Sequence, residues 1–147
     1  MTSRVPRWSA WEMEVADMFA GSLVVQSGRL PTHKGDVSSR GALIDCKYTD
    51  SGCYRLSEAM WDRLCEWAVN AGREPVVAVS LAGEEKVGIV RASAAHGIRG
   101  FDAARDAGCG RTRAIRKGFA PSRFSLGGRE LFALGLDDVA SALSDGR

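Results

Sequence analysis

Residues 76–81 (VVAVSL) put five apolar side chains and one serine into six consecutive positions. Side chains of a strand alternate between its two faces, so a run without polar alternation asks for burial on both. A strand of that kind belongs inside a sheet with helices on each side. The flanking sequence supplies them. A first helix is predicted over about residues 9–20, where Ser9-Ala10-Trp11-Glu12 has the form of a capping box and Trp8, Trp11, Val15, Met18 and Phe19 recur at helical spacing. A second is predicted over about residues 56–71, its stripe of Leu56, Met60, Leu64, Trp67, Ala68 and Ala71 facing inward and Gly72 closing it. Short strands are predicted at 23–26, around Asp36-Val37, at 42–48 and at 86–90, with a turn at 49–52. Residues 94–118 show no clear period. A hairpin split by Gly127-Gly128 is predicted over 123–134, and a closing helix over 137–143. The expected fold class is α/β: one domain over residues 1–147 with a central mixed sheet flanked by helices, its core at about 9–90 and a basic elaboration at about 91–147.

Composition narrows the class of function. At 45% apolar and 26% charged residues the chain has the make-up of a globular domain. It holds no apolar run of about 18 residues or more, so no membrane span is expected. The start of the chain lacks a basic residue cluster followed by an apolar stretch, which fits a cytoplasmic protein. Cys46, Cys53, Cys65 and Cys109 include no C-x-x-C pair, and with two histidines a zinc site is not expected. The net charge of +2 conceals an asymmetry: residues 99–129 hold eight basic side chains against Asp102 and Asp106. Such a segment suits a polyanionic partner.

The chemistry is expected at Asp45-Cys46-Lys47. On a strand Leu43, Asp45 and Lys47 share one face while Ala42, Ile44 and Cys46 share the apolar other. A carboxylate and an ammonium thus leave a hydrophobic strand in the same direction. Nine residues earlier, Lys34-Gly35-Asp36-Val37 offers a second acid that an adjacent strand would bring beside Asp45. Paired carboxylates raise each other's pKa unless a cation lies between them, and hard oxygen ligands with water suit Mg²⁺. Lys47 could orient a water or stabilise charge growing on a phosphate. For a third acid the first helix offers Glu12 and Glu14. With Trp11 at zero, the apolar stripe centres at about 40°, Glu12 at about 100° and Glu14 at about −60°, which favours Glu12. Taken alone, a D-x-K triplet is more often a surface ion pair, and Glu12 would be only a capping glutamate.

Taken together, these pieces resemble the PD-(D/E)XK nuclease superfamily and, within it, the archaeal and phage Holliday-junction resolvases. The resemblance covers about half the chain, through Glu12-Met13-Glu14-Val15, Ser27-Gly28, Gly35-Asp36-Val37, Ile44-Asp45-Cys46-Lys47 and residues 72–77. Gly35 stands where the superfamily's name has proline, and Asp45 where Glu is commoner. The resemblance implies a metal-dependent endonuclease acting on branched DNA as a homodimer, in the host cytoplasm if phage-encoded. It implies that Glu12, Asp36 and Asp45 hold Mg²⁺, with Mn²⁺ able to substitute, and that Lys47 is the catalytic lysine. Ser27 falls where similar resolvases place a serine near the scissile phosphate, although Ser-Gly is equally an ordinary turn. Arg29 and Lys34 flank the acidic loop, and Arg111, Arg113, Arg116 and Lys117 lie in the basic segment; all are candidates for DNA phosphates. Two other readings stay open: a nuclease for linear, nicked or flap DNA, and a non-catalytic DNA-binding protein with a nuclease fold.

Overall fold

The computed structural model describes residues 7–24 and 36–144. It runs from helix α1 (Arg7–Met18) through strands β1 (Ser22–Leu23), β2 (Val37–Ser38), β3 (Ala42–Thr49) and β4 (Cys53–Ser57) to helix α2 (Glu58–Ala71). Strands β5 (Glu74–Leu81) and β6 (Glu85–Arg91) and the short helix α3 (Ala92–Ala95) follow. Strands β7 (Arg105–Gly110), β8 (Thr112–Arg116), β9 (Ser122–Leu126) and β10 (Arg129–Gly135) and helix α4 (Leu136–Leu143) complete the order. Eight strands form one mixed sheet, β1-β2-β3-β5-β6-β10-β9-β7, while β4 and β8 pair as a separate ribbon. This is the α/β architecture that the sequence predicts.

At the centre, β3 and β5 run parallel from Ala42↔Glu74 to Thr49↔Leu81. Parallel neighbours need a crossover, and here β4 and α2 provide it. Every residue from Val76 to Leu81 is buried, as the unbroken apolar run requires. On one side of the sheet Val76, Ala78, Ile44 and Phe132 meet Trp11 and Val15 of α1, Phe19 just after it and Val139 of α4. On the other side Val77, Val79, Leu43 and Leu131 meet Trp61 and Leu64 of α2 and Leu56 and Ile115 of the ribbon. Each buried valine, leucine, isoleucine or phenylalanine among them stabilises the fold by roughly 1.5–3 kcal/mol, so both layers are energetically indispensable. At Gly88 on β6 a Cβ would stand 3.0 Å from Val139 Cγ2 and 3.1 Å from Leu136 Cδ1, so the absent side chain lets α4 sit close to the sheet. No helix among the described residues is long and apolar enough to cross a membrane.

Several local expectations are corrected. Helix α1 begins at Arg7, so Ser9 lies inside it and not at its N-cap position. The strand expected at 23–26 is the two-residue β1; Val25 and Gln26 lie outside the described residues. Leu56 belongs to β4, and α2 starts two residues later. Pro75 lies within β5, where β6 has not begun to pair and no N–H is needed on that side. Residues 94–118, which lack a legible period, contain β7 and β8. Residues 91–144 also complete the sheet, because β10 pairs with β6 from Leu131↔Arg91 to Gly135↔Val87.

The true start of α2 has a clear cause. Ser57 is extended and its Oγ accepts a hydrogen bond from the Met60 N–H at 3.2 Å, while Gly72 closes the helix at φ 68°. Ser57→Ala is therefore expected to cost about 1 kcal/mol, and Ser57→Asp to retain most of the parent stability. Urea unfolding checks this; equal midpoints for the parent and the alanine variant would remove the cap from the account.

Candidate active site

Strand β3 leaves the core gradually. Ala42, Leu43 and Ile44 are buried, and the following residues are half-buried. Alternation puts Asp45 and Lys47 on the face shared with Leu43, Val77 and Val79, the side covered by α2 and the ribbon. The Asp45 side chain is 17% exposed, and Lys47 Nζ stands 3.5 Å from its Oδ2.

Asp36 is held by the edge of the same strand. The ladder between β2 and β3 consists of Val37↔Ile44 and Ser38↔Leu43. Just beyond it, the Asp36 N–H donates to Ile44 O at 2.8 Å and the Val24 N–H donates to Asp36 O at 3.0 Å. The next inward-turned amide, Cys46 N–H, donates to Asp36 Oδ2 at 2.8 Å. A side-chain oxygen thus replaces the missing ladder partner, which fixes the Asp36 carboxylate beside Asp45.

The third acid comes from the opposite layer. Glu12 on α1 is half-buried; burial and the negative charge of Asp36 raise its pKa. Glu14 faces elsewhere and forms an ion pair with Lys86. Of the two glutamates considered, the structure brings Glu12 to the carboxylate pair.

Crowding of negative charge shows in the titration of the cluster. Burial, opposed by Lys47 and reinforced by the hydrogen bond that protonated Asp45 donates to the Asp36 carboxylate and by the Asp36 charge, pushes Asp45 up to about 6. The Cys46 thiol is pushed up by burial and by the charges of Asp36, Glu12 and Asp45. Asp45 has a further neighbour, Tyr54 of β4, whose hydroxyl is raised by burial and by the Asp45 charge. Its OH donates to Met60 Sδ at 3.6 Å. Tyr54 escaped the sequence analysis because β4 itself did; the alternation Tyr54, Leu56 after the turn was the available signal. Among the described residues no group of three or more His, Cys, Asp or Glu side chains is placed so that it could hold a metal ion. An oxygen pair from Asp36 and Asp45, with water, is the donor set available to a hard cation.

The candidate DNA contacts divide. Ser27, Arg29 and Lys34 lie outside the described residues. Arg111 is 91% exposed, 3.8 Å from Glu58. Arg116 is exposed on β8. Arg113 turns inward, its guanidinium carbon 6.0 Å from the centre of the Phe124 ring and its Nε buried without a hydrogen-bond partner. Lys117 is ion-paired with Glu84.

No protein-family model matches the chain, and no curated protein matches it in sequence. Among solved structures, it is similar to Hjc, a Holliday junction resolvase from the archaeal hyperthermophile Archaeoglobus fulgidus. The TM-score is 0.55 at 16% sequence identity, over 89% of this chain and 98% of that one. The two proteins share a fold.

The pKa of Asp45 has a consequence for stability. Its value in the folded protein, about 6, lies above the ordinary 3.8, so folding binds the proton more tightly. The associated stabilisation is complete below about 3.8 and is lost as pH rises through about 6. In metal-free buffer at pH 7–8, Asp45→Asn is therefore expected to unfold with about 1–3 kcal/mol more stability than the parent, and the gap to close by pH 4. Denaturant melts across that pH range test it. A variant less stable than the parent at pH 8 would show that the carboxylate carries no burial penalty.

Proposed function

We propose that the chain is a Mg²⁺-dependent endonuclease that hydrolyses phosphodiester bonds in branched DNA, with a four-way junction as substrate. The observation that carries this reading is the convergence of Asp36, Asp45, Lys47 and Glu12 at one end of β3. It occurs in a fold shared with a junction resolvase.

The donor set suits the cation. Asp45, raised chiefly by burial, lies beside Asp36, and the two carboxylates form a pair of hard oxygen donors whose mutual repulsion a divalent ion relieves. Asp36 and Asp45 would hold it, with Glu12 from the α1 side; Mn²⁺ would serve in its place. When bound, the ion supplies Lewis acidity toward a phosphoryl oxygen and lowers the pKa of water. Every other part of the reaction belongs to the chain. Asp36 keeps its position through the Cys46 N–H and so holds the carboxylates in register. Lys47, 31% exposed beside Asp45, presents its ammonium toward solvent, where it can orient the attacking water or pair with charge growing on the phosphate. Tyr54 packs against the core on the same sheet face.

A four-way junction has two-fold symmetry and needs two opposed cuts, so the active species is proposed to be a homodimer with one site facing each strand. A second reading, cleavage of linear, nicked or flap DNA, is favoured by one observation: the carboxylate–lysine geometry makes no demand on the branching of its substrate.

Cleavage of a labelled junction in Mg²⁺, beside a linear duplex of the same sequence, separates the two. Paired nicks in the junction alone are expected. Asp45→Asn and Lys47→Ala are each expected to slow cutting by about 10²–10⁴-fold. Mg²⁺ should raise the unfolding midpoint of the parent and not that of Asp45→Asn. Equal cutting of both substrates would replace junction specificity with the second reading. Unimpaired cutting by Asp45→Asn would move the chemistry away from this cluster.

A further inference from the structure

The ribbon of β4 and β8 stands on the side of the sheet that carries Asp45 and Lys47. Its register is Cys53↔Arg116, Tyr54↔Ile115, Arg55↔Ala114, Leu56↔Arg113 and Ser57↔Thr112. Directly opposed residues of an antiparallel pair point to the same side. Tyr54, Leu56, Arg113 and Ile115 therefore form the inner face, and the fully buried Leu56 and Ile115 anchor it to the sheet. The outer face carries Arg55 and Arg116 as diagonal neighbours, both exposed, with Ala114 leaving room beside Arg55.

The ionic surroundings of these two arginines differ from those of several cations of the basic segment. Lys117 is paired with Glu84, Arg129 with Asp62, and Arg123 lies 3.8 Å from Asp106 and 3.7 Å from Glu130. Among the described residues neither Arg55 nor Arg116 has an acidic partner. Two like charges on adjacent positions of a two-stranded ribbon repel unless an anion lies across them. The ribbon is also short of freedom to move them apart, since its inner face is locked into the core. Meanwhile Tyr54, the inner neighbour of Arg55, packs against the core cluster of Leu43, Val77 and Val79, on the sheet face that carries Asp45 and Lys47.

We infer that the outer face of the β4–β8 ribbon, through Arg55 and Arg116, binds backbone phosphates of DNA and leads the strand toward Asp45 and Lys47. This deepens the nuclease reading and rests on it. The partner is the phosphate backbone itself, so binding is expected to be independent of base sequence and steeply salt-dependent. Lys117, Arg123 and Arg129, whose charges are already answered by neighbouring carboxylates, contribute little.

The test is fluorescence anisotropy with a labelled four-way junction and a matched duplex, over a salt series in Ca²⁺. Parent, R55Q/R116Q, R55K/R116K and R123Q proteins are compared, with unfolding midpoints measured alongside. The double glutamine variant is expected to bind both DNAs about 10–100-fold more weakly near 0.1 M salt, with a log–log salt slope shallower by about two. The double lysine variant should recover most of the slope, and R123Q should match the parent. A parent-like slope in R55Q/R116Q, in a parent that binds and cuts DNA, would overturn the ribbon assignment and leave the nuclease reading standing. So would an equal loss in R123Q, or a loss confined to the junction. A parent that binds neither DNA overturns both.

Discussion

Parallel strands cannot be joined by a tight turn, so the pairing of β3 with β5 obliges the chain to leave the sheet after Thr49 and return at Glu74. What it builds on the way, β4 and then α2, covers the sheet face that carries Leu43, Asp45 and Lys47. Leu43 lies within the core there, whereas Asp45 and Lys47 remain half-buried. On the other edge of β3 the two-residue β2 stops at Val37, and the first amide it leaves open is filled by the Asp36 carboxylate. The site is thus the place where two coverings of one strand both run out. A longer β2 would pair the Cys46 amide with backbone and free Asp36 to turn away.

Holding three acids at that boundary costs folding energy. Burial keeps Asp45 protonated to well above the ordinary range, and Lys47 offsets only part of the penalty. A purely structural ion pair would be expected to lower the carboxylate's pKa. Here the net shift is upward because burial and Asp36 outweigh the lysine. Strain of this kind is commoner at functional sites than in structural pairs.

The central elements were legible because burial imprints itself on sequence. The run at 76–81, the 42–48 strand and the α2 stripe follow from alternation and helical period, and the pairing of Asp36 with Asp45 follows from two strands on either side of a short link. The choice of Glu12 over Glu14 came from helical angle, although that helix begins two residues before the serine read as its N-cap. What escaped were the elements whose partners are distant. Strand β4 pairs with β8, almost sixty residues away in the chain, and β8 is written in arginine, threonine and alanine. Only Ile115 of that strand is fully buried, too little for a period to show. Leu56 has an apolar side chain at a spacing compatible with the α2 stripe, and nothing local says that it belongs to a strand instead.

Charge presents the same problem in another form. Residues 99–129 form one basic block along the chain, yet the fold distributes it over several environments. Arg113 is turned inward over Phe124, Lys117 and Arg129 are matched by acids from α2 and the β5–β6 turn, and Arg116 is left facing outward. Arg55, outside that block and next to the half-buried Tyr54, joins Arg116 only through strand register. A linear count of basic residues measures the supply of cations, and pairing decides which remain for a ligand. Surface pairs of the Lys117 type contribute little to stability. Their larger effect here is to remove cations from the pool that a polyanion could meet, so the electropositive surface near Asp45 is narrower than the sequence implies.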